Sequence, residues 1–146
     1  MKMKTNNIRR FATFFLLSLM VLPVCGTVVE QMPSFPGGDK ALFEFLKENV
    51  RCPKKVIRKG ISGRVIVSFF VEKDGSITEL KIVKNSLKDK SGNPCTNSSI
   101  NKRCEKEALR VLKLMPKWIP GTQNGEPVRV KYCVPVVFNR PKPKSD

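Results

Sequence analysis

The chain has 146 residues, of which 28 are Lys or Arg, 12 are Asp or Glu and none is His, giving a formal charge of +16. This length fits one domain once a targeting segment is set aside. The lack of His removes the commonest acid–base group and metal ligand at neutral pH, so neither an enzyme nor a zinc site is expected.

In chain order, the first ten residues carry Lys2, Lys4, Arg9 and Arg10 and no acid. Phe11 to Val24 is then apolar apart from Thr13 and Ser18. A basic start followed by a short apolar run predicts an export signal over residues 1–26, cleaved after Gly26. Two other readings stay open, in descending order. Cys25 carries a lipid at a new N-terminus, or the apolar stretch extends to Val29 as an uncleaved 19-residue anchor. All three put the rest of the chain outside the cytoplasm, touching a membrane only through such a lipid or anchor. Without residues 1–26 the balance is 24 basic against 12 acidic residues, or +12. That charge favours anionic envelope polymers, lipid head groups or an acidic protein surface, and nucleic acid is not an expected partner for an exported chain.

Residues 27–138 form the predicted domain, and 139–146 a polar tail. Pro33 and Pro36 oppose helix, and Gly37-Gly38-Asp39 then starts one, with Leu42, Phe45 and Leu46 as its buried stripe. Pro53 ends it by Cys52 and opens a second short helix, Lys54 to Lys59, which Gly60 closes. Gly63 to Glu72 alternates as a strand with Val65, Val67, Phe69 and Val71 on one face and Ile66 and Phe70 on the other, the pattern of a central strand. Lys73-Asp74-Gly75-Ser76 predicts a hairpin turn. The return strand, Ser76 to Asn85, keeps Leu80 and Ile82 in register but not Ile77 and Val83, which predicts a twist or a bulge. Ser86 to Ile100 reads as an exposed loop. Asn101 is expected to cap a helix running to Pro116, with Cys104, Ala108, Val111, Leu112 and Met115 inward. Trp118 packs over the core, Asn124-Gly125 makes a turn, and the last strand, Arg129 to Phe138, alternates strictly with Val130, Tyr132, Val134, Val136 and Phe138 on one face. The order is helix, helix, strand, strand, helix, strand. This is an α+β class: helices on a small three-stranded antiparallel sheet.

Of the five cysteines, removal or lipidation of Cys25 leaves four, an even set that in an exported domain reads as two disulfides. Cys95 with Cys104 closes a short loop and is the first expected pair, leaving Cys52 with Cys133. No Cys-x-x-Cys is present, so redox catalysis is not expected. Carboxylates fall in charged runs such as Lys40, Glu44, Lys47 and Glu48, which helix-surface pairing explains. No cofactor or metal is implied. One feature stands out instead: a late strand whose Pro135 lacks an N–H, which marks it as peripheral or bulged there, and which serves either as a border where an extended segment of another chain can pair or as an edge protected from aggregation.

Several motifs occur together: Val29 to Leu46 with its Phe-Pro-Gly-Gly box, Gly63 to Ile77, Glu107-Ala-Leu-Arg110, Met115-Pro-Lys-Trp118, Pro120-Gly121, Asn124-Gly125 and Pro127-Val128. Together they resemble the C-terminal domain of TonB-family energy transducers. The resemblance implies a periplasmic domain that grips outer-membrane transporters, whose short extended peptide, the TonB box, is added beside the last strand. On this chain the implied partner-binding residues are Arg129, Val130, Lys131, Tyr132 and Val134. Strand sharing in a homodimer stays open. Between Gly26 and the first helix lie only Thr27 to Gly38, roughly 40 Å when extended. This is shorter than the Pro-rich spacer the resemblance implies. The alternative is a disulfide-stabilised basic envelope protein that holds anionic polymer or lipid and has no transport role.

Overall fold

The computed structural model describes residues 29–139. The expected export segment and most of the tail lie outside them. α1 (Gly38–Asn49) and α2 (Lys54–Lys59) precede a hairpin of β1 (Ser62–Val71) and β2 (Ile77–Lys88). α3 (Ser98–Lys113), a short hairpin of β3 (Gly121–Gln123) and β4 (Glu126–Val128), and β5 (Val130–Phe138) follow. The main sheet has three strands in the order β2-β1-β5, all antiparallel. The α+β class and the helix–strand order of the sequence reading hold, with the β3–β4 hairpin as an addition.

One face of the sheet carries the core. Val65, Val67, Phe69 and Val71 of β1 and Val130, Val134, Val136 and Phe138 of β5 are buried. Leu42 and Leu46 of α1, Val56 of α2, and Ile100, Cys104, Ala108, Val111 and Leu112 of α3 close over the same side. Trp118 is 3% exposed and sits at the centre of an aromatic cluster. Its ring lies 5.7 Å from Phe35 and 5.3 Å from Phe69, both edge-on, and 5.1 Å from Tyr132. The aromatic quadrupole favours such edge contacts over stacked faces.

The β1–β2 turn is fixed from two sides. Asp74 accepts from the Ser76 amide at 3.0 Å and hydroxyl at 2.6 Å, and the Trp118 amide donates to the Gly75 carbonyl at 2.8 Å. Gly75 has φ 84°, and a Cβ there would lie 2.1 Å from the Trp118 carbonyl oxygen. Only glycine meets both demands. The expected bulge is present: register shifts fall between Ile66 and Val67 and between Ser68 and Phe70, with Glu79 at φ 51°.

Two sequence boundaries move. β2 continues to Lys88, because Asn85, Ser86 and Leu87 still pair with Val65, Arg64 and Gly63. The predicted loop therefore shrinks to residues 89–97. α3 is capped by Asn97, whose side chain accepts from the Ile100 amide at 3.2 Å, and not by Asn101. Asn101 instead donates from Nδ2 to the Cys95 carbonyl at 3.0 Å.

Candidate functional site

β5 forms one border of the sheet. It pairs with β1 through nine consecutive residue pairs, from Gly63 with Phe138 to Val71 with Val130, without a register shift. Among the described residues, no other strand and no isolated bridge pairs with it. The direction of its free backbone groups follows from the opposite side of the sheet. The Cys95 amide donates to the Leu87 carbonyl at 2.8 Å, so the Leu87 backbone faces away from β1. Leu87 stands opposite Gly63, whose own backbone groups therefore face β5. Alternation along β1 and β5 then turns Val134, Val136 and Phe138 toward β1, and Cys133, Pro135 and Val137 outward. Pro135, which has no N–H to donate, occupies an outward position, where it costs the ladder nothing.

This geometry divides the residues singled out in the sequence. Val130, Tyr132 and Val134 share the parity that faces β1, and their side chains lie on the core face, with Val130 and Val134 buried and Tyr132 half-buried. Lys131 has the outward parity and is exposed. Arg129 precedes the strand and is already engaged. Its Nε donates to Glu72 Oε1 at 2.9 Å, its Nη2 donates to Glu79 Oε1 at 2.6 Å, and its guanidinium lies 3.6 Å above the Phe70 ring. The Thr78 hydroxyl bond and then the Arg129 bond hold the Glu72 carboxyl below its ordinary value.

A groove of about 580 Å³ runs beside the C-terminal half of β5. Phe43, Leu46, Lys47, Val50 and Cys52 line it from the α1 side, and Pro135, Val137, Phe138 and Asn139 from the strand side. Phe43 is 58% exposed and Val137 45% exposed, so apolar surface borders the free strand edge. Sequence reasoning missed this groove. The available signal was Phe43, an aromatic beside Leu42 that lies off the buried stripe.

A second surface is basic. Lys54, Lys55 and Arg58 of α2 meet Arg103 of α3 around one shallow pocket, and Arg103, Lys102 and Lys106 line the next. α1 is docked to α3 by another contact set. Glu107 Oε1 accepts from the Arg51 amide at 2.7 Å, and Arg110 bonds both Glu107, at 2.6 Å, and the Asn49 carbonyl, at 2.9 Å. Burial alone would raise the Glu107 carboxyl, but the Arg110 and Arg51 bonds outweigh it and hold the group below its usual range.

The four described cysteines are thiols. Cys133 is exposed, and its parity puts it on the open face of the sheet, whereas Cys52 packs against the core on the helical side. Among the described residues, no group of three or more His, Cys, Asp or Glu could hold a metal ion, and no helix is long and apolar enough to cross a membrane.

Comparison with known proteins bears on this arrangement. The family described as Gram-negative bacterial TonB protein C-terminal matches residues 48–90 and 94–140. Proteins named TonB from two strains of Helicobacter pylori are each 46% identical over 39 residues, which is 27% of this chain and 14% of the relative. The match thus spans a small part of those relatives' length. Two solution structures of the Helicobacter pylori TonB C-terminal domain share 24% identity with the chain. The longer piece gives a TM-score of 0.44 over 70% of this chain and 79% of its own, and the shorter 0.43 over 71% and 95%.

Proposed function

The chain belongs to the Gram-negative bacterial TonB protein C-terminal family, and from that premise we propose that it is a periplasmic binding module. It engages an extended segment of an outer-membrane transporter by adding that segment to β5. The supporting observation is the border position of β5, with its backbone groups on one side bonded to β1 and those on the other side not bridged to any described element. Strand addition needs only such a row of main-chain donors and acceptors. Lys131, Cys133 and Val137 offer both amide and carbonyl, and Pro135 a carbonyl alone. The neighbouring groove, walled by Phe43 and Val137, accepts an apolar side chain of the added segment. Recognition is therefore by backbone geometry with a single apolar pocket, and no reactive side chain takes part.

Amide chemical shifts during titration with N-terminal peptides of outer-membrane transporters test the proposal. Shifts concentrated at residues 131–137 and at Phe43 are the expected result, and shifts confined to other elements would overturn it. A second reading rests on the basic surface of Lys54, Lys55, Arg58 and Arg103, which fits an anionic polymer or lipid head group. Salt separates the two: binding through those cations falls steeply as ionic strength rises, and backbone pairing does not. Strand sharing between two copies would use the same β5 edge and is read from sedimentation across a concentration series.

A further inference from the structure

Three of the four described cysteines gather around the middle of α3, and the fourth stands apart on the open face of the sheet. We propose that Cys52, Cys95 and Cys104 form one thiol–disulfide site. Cys104 is the shared partner, bonding either Cys52 or Cys95, and Cys133 stays a thiol. The inference is independent of the peptide-binding reading.

Hydrogen bonds locate the cluster. Cys104 lies on α3 and is 0% exposed. Three residues before it on the helix, Asn101 donates to the Cys95 carbonyl at 3.0 Å. Three residues after it, Glu107 accepts from the amide of Arg51, the neighbour of Cys52, at 2.7 Å. The chain segments bearing Cys95 and Cys52 are thus tied to α3 one turn on either side of Cys104. Both cysteines are half-buried and pack on the same core. Burial, followed by the nearness of Cys52 and Cys95, pushes the Cys104 thiol up to about 12.

Access differs among the three. Cys52 lines the groove between α1 and β5, and Cys95 lines a separate pocket with Arg58, Lys90 and Asn97. A small disulfide from solvent can reach either of these sulfurs but not Cys104. The Cys52 or Cys95 thiolate attacks one sulfur of glutathione disulfide and releases one glutathione thiolate. Cys104 then gives its proton to solvent and attacks the protein sulfur of the mixed disulfide, and the second glutathione leaves. Two protein thiols are oxidised and one external disulfide is reduced to two thiols. The remaining cysteine can attack the new bond and exchange places without further oxidation. One form clamps the α1–α2 junction to α3, and the other clamps the loop after β2 to α3.

The test uses the full chain in a Cys25→Ser background, equilibrated with glutathione disulfide, alkylated under denaturing conditions and mapped by peptide mass. The expected result is one bond per chain, Cys52–Cys104 or Cys95–Cys104 or a mixture, with Cys133 alkylated. Cys95→Ala is expected to give only Cys52–Cys104, and Cys52→Ala only Cys95–Cys104. Oxidation should raise the Tm by about 10 °C. A bond to Cys133, a Cys52–Cys95 bond, no bond, or a folded single variant that fails to form the remaining bond would overturn the proposal. The two single variants decide the matter even if Cys104→Ala does not fold.

Discussion

The two borders of the sheet flank the same strand, β1, yet differ in the properties that govern pairing with another chain. β2 is twelve residues long and carries two register shifts, a left-handed Glu79, and exposed Lys81, Lys84 and Lys88. Near its end the outward Leu87 carbonyl is already occupied by the Cys95 amide. Bulges, lysines and covering loops are the usual devices that blunt an edge. β5 is nine residues long, keeps a continuous register and has one lysine, Lys131. Besides that lysine its blunting device is Pro135, which removes one outward donor and leaves the carbonyl. The β2 edge thus carries more of these devices than the β5 edge.

The strongest perturbation of this contrast removes the support that both edges share. Phe69 is fully buried on β1 and packs against Trp118 and Tyr132. Phe69→Ala is expected to cost about 3–5 kcal/mol, a large part of the stability of a domain this size. Denaturant unfolding followed by β2 and β5 amide signals should show both edges lost in one transition. Separate transitions would mean that the edges are supported independently.

Next in size is the joint that holds α1, and with it one wall of the groove, against α3. Glu107→Gln leaves the Arg51 amide and Arg110 with a neutral acceptor and should cost about 1–3 kcal/mol, read from the denaturation midpoint. The Glu107 carboxyl sits below its ordinary value in the folded chain. Its contribution is therefore fully present above the ordinary carboxylate value and is lost as pH falls through the lowered folded value. The variant should lack this component of acid destabilisation.

A third substitution tests the asymmetry of the edges directly. The Val137 backbone faces outward, so Val137→Pro removes a donor from the free side without breaking the ladder to β1. Losing one backbone hydrogen bond should weaken peptide binding by about tenfold, measured by calorimetry. Lys81→Thr with Lys84→Thr on β2 should leave that affinity unchanged. Equal effects at the two edges would dissolve the comparison.

Much of this fold was legible in the sequence because its signals are local. The alternation of Val65, Val67, Phe69 and Val71, the Pro53 start and Gly60 stop of α2, and the Asp-Gly turn each act within a few residues. Errors arose where a distant contact decides. Asn97 and Asn101 are equally plausible caps on local chemistry, and the contact between Asn101 and Cys95 separates them. β2 runs on to Lys88 because β1 offers partners there, not because Ser86 favours strand. The border position of β5 was foreshadowed by Pro135, but the outward set of residues depends on parity transmitted from Leu87 through Gly63. The α1–β5 groove brings together residues nearly a hundred positions apart, which no period or spacing encodes. Cysteine pairing is not legible for the same reason: an even count says nothing about which face of the sheet each sulfur occupies.

The smallest effect is expected at Arg129, the residue that joins the two edges across the open face. It stands just before β5, contacts Glu79 in the irregular part of β2, contacts Glu72 at the end of β1 and covers Phe70. The site is solvated, so these ion pairs are screened and give little net stability. Their geometric role is greater: Glu79 holds a left-handed conformation that L side chains seldom adopt, and Arg129 pins its carboxylate. Arg129→Met retains an apolar cover for Phe70 while releasing both carboxylates. Its denaturation midpoint should stay close to that of the parent, while amide exchange around Glu79 quickens and exchange along β5 does not change. Equal quickening along β5 would mean that the edge proposed to receive the peptide is held in place by the edge that refuses one.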